Sequence, residues 1–159
     1  MKQNNQGFTL IEMVVVLILI SIIAATVFAR SITTGKINLF GEAAKIRNHI
    51  RYAQSLAMKR NEIWGIKCFG GQYWLFTGAD FGDEDNPVRF PDEQTDTISL
   101  PAGVTMTAFV LYFDGLGVPY NAYDTVPVTF SPPKIITVTN GTTTRSLTIT
   151  PETGLITTQ

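Results

Sequence analysis

Gly7-Phe8-Thr9-Leu10-Ile11-Glu12-Met13-Val14-Val15-Val16-Leu17 joins a short polar leader to an apolar run that carries one carboxylate near its start. From Phe8 to Ala29, Glu12 is the only charged residue. A helix over this stretch, rising about 1.5 Å per residue, reaches roughly 33 Å, enough for a bilayer hydrocarbon core of about 30 Å. The run therefore reads as able to span a membrane. The acid is the anomaly, because an ionised carboxylate in the centre of hydrocarbon costs about 3 kcal/mol even on the lenient insertion scale, and such residues normally have a partner. No Lys, Arg or His lies between Phe8 and Ala29. The nearest cation the chain can make is a new α-amine at Phe8, created by a cut after Gly7, which would leave Glu12 as the fifth residue.

These residues, preceded by the Lys2-bearing leader, resemble the cleavage and methylation signal of type IV prepilins and type II secretion pseudopilins, over residues 2–29. The resemblance implies a leader over 1–7, cut by a prepilin peptidase between Gly7 and Phe8, and N-methylation at Phe8. It implies a transmembrane, later filament-core, helix over 8–29. Glu12 would pair with the Phe8 amine of a neighbouring subunit, so that the cost of burying each charge is offset only in the correct axial register. A register device is the best-attested use of a buried ion pair. The implied partners are other pilin or pseudopilin subunits, the peptidase and an inner-membrane assembly platform. The implied location is the bacterial inner membrane, single-pass with the head in the periplasm, and then the pilus or pseudopilus filament.

Two plainer readings fit less well. An ordinary secretory signal has an apolar core of about 7 to 15 residues, and Val27-Phe28-Ala29 would be its cleavage site, but the run here is longer and Glu12 cancels Lys2. An uncleaved anchor leaves Glu12 without a partner. Arg30 and Lys36 follow the run whereas only Lys2 precedes it, the reverse of the positive-inside expectation, and the motif is taken to decide the orientation over the charge count.

Removing leader and anchor leaves Arg30 to Gln159, about 130 residues, the size of one domain. Residues 30–61 read as an amphipathic helical stem. Leu39, Ala43, Ile46, Ile50, Ala53 and Ala57 recur at alternating steps of four and three and make a continuous apolar stripe. Lys59 and Arg60 suit a helix end at Arg60-Asn61. The weak point of the long helix is Ser31-Ile32-Thr33-Thr34-Gly35, with Gly35 the expected place for a bend.

From Glu62 the period changes to two and turn residues become dense, so 62–159 reads as a β-rich head. Strands are expected at 63–69 and 72–77 around Gly70-Gly71, at 104–113 before Asp114-Gly115, at 126–130, at 135–139 and 144–150 around Asn140-Gly141, and at 155–158. The fold class is α+β, one long N-terminal helix packed on an antiparallel sheet or sandwich, because the stripe must be covered and strands supply an apolar face. The layout is similar to minor pseudopilins of the GspH/FimT type, on the stretch Ala53 to Asn61 leading into a strand, Phe113-Asp114-Gly115-Leu116-Gly117, and Ile149-Thr150-Pro151-Glu152-Thr153-Gly154.

Charge is split along the chain. Residues 30–67 carry Arg30, Lys36, Lys45, Arg47, Arg51, Lys59, Arg60 and Lys67 against Glu42 and Glu62, a balance of +6, and residues 68–159 balance at −7. Contacts between the stem of one subunit and the head of another would use this split. Cys68 is the lone cysteine and falls on the apolar face of its strand with Trp64 and Ile66, an inert buried thiol. His49, the one histidine, has no nucleophile motif beside it and reads as a packing or solvated residue, so no catalytic residue is expected. With Cys68 it is too small a set for zinc.

Asp80-Phe81-Gly82-Asp83-Glu84-Asp85-Asn86 is an acidic loop that could offer oxygens to Ca²⁺ through Asp80, Asp83 and Asp85, but it matches no EF-hand and reads first as a solvated acidic turn, so no metal is expected. Some major pseudopilins, which this chain resembles in its first helix, have a calcium loop, nearer the C-terminus. No cofactor is expected otherwise. Some FimT-like subunits bind DNA through basic residues near the C-terminus, whereas Leu147 to Gln159 contains no Lys or Arg, so nucleic acid ranks below a structural role. The expected function is a non-enzymatic minor pilin or pseudopilin, with a major pilin or a DNA- or surface-binding tip subunit as the alternatives.

Overall fold

The computed structural model describes residues 9–78, 82–122 and 130–159, with the side chains of 27–38 outside the description. The protein is α+β. Helix α1 (Leu10–Arg60) precedes strands β1 (Trp64–Phe69), β2 (Gln72–Thr77), a 3-10 turn (Asp83–Asp85), β3 (Ile98–Ser99), β4 (Thr105–Met106), β5 (Phe109–Phe113), β6 (Pro119–Tyr120), β7 (Lys134–Thr139), β8 (Thr144–Ile149) and β9 (Ile156–Thr158). Residues up to Ile37 form one compact unit and Asn38–Gln159 the other, so the stem residues from Asn38 onward belong with the β-strands.

In the first unit Thr9 starts the helix: its carbonyl accepts from the Glu12 and Met13 N–H groups at 3.1 and 3.3 Å, and its hydroxyl accepts from Glu12 N–H at 3.3 Å. This is the expected chemistry of an N-cap threonine. Every large apolar side chain from Leu10 to Ile23 is at least 41 % exposed, including the consecutive run Met13 to Ile20. The helix is thus apolar on all sides. Ser21 and Thr26 donate their hydroxyls back to the carbonyls of Ile18 and Ile23 at 2.7 and 2.8 Å, which hides those polar atoms within the helix. Among the described residues no helix is long and apolar enough to cross a membrane. Of the expected 8–29 span, Phe8 and the side chains of 27–29 lie outside the described residues, as does the 1–7 leader.

In the second unit the stripe is as expected. Leu39, Ala43, Ile46, Ile50, Ala53 and Ala57 are each no more than 1 % exposed. The helix stops where Asn61 turns left-handed at φ 53°, with Glu62 N–H bonding the Ala57 carbonyl at 3.3 Å. Asparagine tolerates that conformation better than other residues with side chains. Two antiparallel sheets supply the rest of the core, one in the order β3-β2-β1-β5-β6 and the other β4-β7-β8-β9.

The β1–β2 hairpin pairs Phe69 with Gln72, and both loop residues, Gly70 and Gly71, have positive φ (61° and 79°), the geometry that a tight two-residue turn demands. The β7–β8 hairpin has the expected strands, but its connection is Asn140 to Thr143. There the Asn140 side-chain oxygen accepts from the N–H groups of Thr142 and Thr143 at 3.2 and 2.8 Å, so an Asx turn makes the loop wider than an Asn-Gly pair alone. In the Asp114-Gly115-Leu116-Gly117 turn between β5 and β6, Asp114 Oδ1 accepts from Leu116 and Val118 N–H groups at 2.9 and 2.8 Å.

The single strand expected over 104–113 is instead two, β4 and β5, in different sheets: Thr105 pairs with Thr139 and Val110 with Lys67. The chain changes sheets between Met106 and Phe109, and a period of two continues through such a switch without marking it. Residues 126–129 of the strand expected at 126–130 lie outside the described residues.

Two glycines respond oppositely to a methyl group. At Gly65 in β1 a Cβ would sit 2.3 Å from the Phe76 ring and 2.5 Å from the Leu111 carbonyl oxygen, whereas at Gly41 in α1 it would meet nothing within 4 Å. Gly65→Ala should cost about 1–3 kcal/mol through overpacking. Gly41→Ala should gain about 0.5–1 kcal/mol by favouring helix. Thermal melts of the two variants in detergent, against the unaltered chain, check both signs.

Burial raises the Cys68 thiol to about 11, and the thiolate is the reactive form. The folded protein should resist iodoacetamide at pH 8 and label fully after unfolding, with labelling of the fold appearing only as pH approaches 11; intact mass after timed alkylation reads this directly.

Candidate functional site

The residues expected to carry function fall into three places. Gly7 and Phe8, the expected processing pair, lie outside the described residues. Glu12 is described: it sits exposed in the first turn of α1, where its negative charge suits the helix dipole. Among the described residues no cation lies within ion-pair distance of it, the ion pairs being Lys45–Glu93, His49–Asp92 and Lys67–Asp85. Its surroundings are the exposed apolar side chains Leu10, Ile11, Met13, Val15 and Val16. A carboxylate there is tolerable in water and costly once those neighbours are covered by lipid or protein.

The acidic loop is tied into the head by its own residues. Asp80 lies outside the described residues. Asp85 pairs with Lys67, and Glu84 accepts from the Tyr112 hydroxyl at 3.3 Å and from Gly82 N–H at 3.1 Å. The Glu84 carbonyl takes the Trp74 indole N–H at 2.7 Å. Burial and the nearby Glu84 carboxylate hold the Tyr112 phenol up at about 12, so it stays a hydrogen-bond donor.

The third place was not foreseen from sequence. His49 is 4 % exposed, stacked on Phe90 with ring centroids 4.1 Å apart. Its Nδ1 is 3.1 Å from the Tyr73 hydroxyl and its Nε2 is 3.2 Å from Asp92 Oδ2. Glu93 stands beside Asp92 and pairs with Lys45, one turn before His49 on the helix. The bond to His49 holds the Asp92 carboxyl below the usual carboxylate range, whereas burial raises Glu42, and burial with Glu42, Glu93 and Asp92 nearby raises the Tyr73 phenol. One signal was available: His49 lies three residues after Ile46 and four before Ala53, on the stripe itself, so burial and a need for partners follow from spacing alone.

The basic stem engages the acidic head within one chain. Besides the Lys45–Glu93 pair, Arg51 donates to the Ile156 carbonyl at 3.4 Å and Arg60 lies over the Trp64 ring at 5.0 Å, while Lys67 pairs with Asp85 within the head. Part of the charge split expected to link separate subunits therefore has an intramolecular use.

Residues 2–28 match the family model of the prokaryotic N-terminal methylation motif. Neither the curated proteins nor the solved structures contain a match. The motif supports a type IV pilin-like or pseudopilin subunit in general, one that assembles with other pilin subunits after processing by a prepilin peptidase.

Proposed function

We propose that this chain is a non-enzymatic structural subunit of a type IV pilus or type II secretion pseudopilus, a minor pseudopilin of the GspH/FimT type. In this reading the peptidase cuts between Gly7 and Phe8, the Phe8 amine is methylated, and the subunit waits in the inner membrane through its 8–29 helix with the head in the periplasm. Assembly draws the helix into the filament core, where Glu12 pairs with the Phe8 amine of a neighbour.

The observation that carries the reading is the combination at the start of α1: an apolar surface exposed on every side from Leu10 to Ile23, on which Glu12 is the one charged residue. A helix apolar all round is stable only when surrounded by lipid or by other apolar helices. A lone acid on such a surface makes side-by-side packing conditional on a cation at the same height. The motif match over 2–28 supports the cut that creates that cation.

Glu12→Ala should leave membrane insertion intact, as read by resistance to carbonate extraction, and lower incorporation into sheared filaments. Losing one partner of a buried pair costs about 3–5 kcal/mol, which lowers incorporation by at least about a hundredfold. Normal filament levels of that variant would remove the register argument.

The processing step has its own readout. Mass spectrometry of the mature protein should find Phe8 first and carrying one added methyl group, and Gly7→Leu should accumulate the longer, unprocessed chain. A mature terminus at Arg30 or at Met1 would overturn the assignment.

A further inference from the structure

We propose that His49, Asp92 and Glu93 form a site for a zinc-like divalent cation that clamps the segment after β2 onto helix α1. The three side chains offer one nitrogen and two oxygens, and their ligating atoms all lie within 4.8 Å of one another. Imidazole with carboxylates suits borderline ions such as zinc, and a catalytic-type or open zinc site takes three protein ligands with water in the fourth position.

The geometry is close to what coordination needs. Ligand atoms about 2.0–2.2 Å from a tetrahedral ion are separated from each other by roughly 3.3–3.5 Å. His49 Nε2 and Asp92 Oδ2 are already 3.2 Å apart. The Glu93 carboxylate lies within 4.8 Å of both and can turn inward, since its partner Lys45 is itself 38 % exposed and can turn into water. Glu42, three residues before Lys45 on the same helix, offers the released ammonium a second carboxylate.

Two further features belong to a built site and not to a chance cluster of acids. His49 is almost wholly buried, its ring fixed between Phe90 on one face and the Tyr73 hydroxyl at Nδ1, so Nε2 is held pointing at Asp92. Ligating histidines almost always have their other ring nitrogen bonded in this way, which fixes the tautomer and orientation. An open cleft of about 280 Å³, lined by Asn48, His49, Tyr52, Pro91 and Asp92, leads to the same spot and gives an ion a way in. Asp92, Glu93 and the nearby Glu42 bring three carboxyl groups together around His49 and Lys45, a setting that attracts a cation.

The test uses the untagged full chain in detergent, stripped with EDTA and titrated with ZnCl₂, with CaCl₂ in parallel. Zinc at a hundred times its Kd should raise the melting temperature by about 5 °C or more. Cobalt substituted for zinc should give the visible absorption of a tetrahedral site. Asp92→Asn and Glu93→Gln, both at side chains near the surface, should keep the fold and each weaken zinc binding at least tenfold. Absence of any zinc-dependent shift or calorimetric heat in the unaltered chain overturns the proposal, and so does zinc binding that both variants retain. Stabilisation by calcium but not zinc would overturn the ligand assignment, since imidazole is a poor calcium ligand.

Discussion

An apolar helix surface has to be covered, and that single constraint shapes both compact units of this chain. In the Asn38–Gln159 unit the surface is a stripe one residue wide at each turn, Leu39 to Ala57, and the chain covers it with its own strands. Ile66, Leu111, Ile136 and Leu147 share a core cluster with the stripe, and each is fully buried. In the first unit the surface runs round the whole helix from Leu10 to Ile23, and its side chains stay exposed. A surface of that kind is complete only in the company of other molecules, either lipid or further helices.

The parts of the fold legible in the sequence were those that follow from short-range rules. The stripe follows from steps of three and four, the helix stop from Arg60-Asn61, and the β1–β2 turn from two glycines that alone can both take positive φ without strain. What was not legible depends on partners distant in the chain. The break of 104–113 into β4 and β5 is set by which sheet each half joins, with Thr107 N–H still bonding the Thr137 carbonyl at 3.0 Å while Phe109 already faces Cys68. No local pattern around Met106 announces that exchange.

The same distinction applies to the polar groups. Asp92 and Glu93 stand 43 and 44 positions beyond His49, and the segment containing them gives no periodic signal that ties it to the helix. His49 itself could be placed on the buried face by counting, and burial of an imidazole implies hydrogen-bond partners, but their identity required the fold. Glu12 is the opposite case. Its environment, apolar neighbours on a helix and no cation nearby, is set entirely by residues within two turns, and the sequence therefore states the problem completely.

That contrast bears on how the Glu12 problem is solved. His49 finds Tyr73 and Asp92 inside its own unit, so its burial is settled on folding. Glu12 has no such partner among the described residues, and the helix dipole at the first turn favours its negative charge while disfavouring an ammonium at the same end. A processed amine at Phe8 therefore needs a carboxylate more than the carboxylate needs it. In the proposed filament, four residues of helical rise, about 6 Å, would separate amine and acid, so a subunit displaced axially by that amount would bring its Glu12 level with the terminus of the next. In the proposed filament the spacing of amine and acid would fix the step between adjacent subunits, because a smaller or larger slip would leave both charges buried apart. A hydrophobic surface alone would permit any slip; the proposed pair would select one.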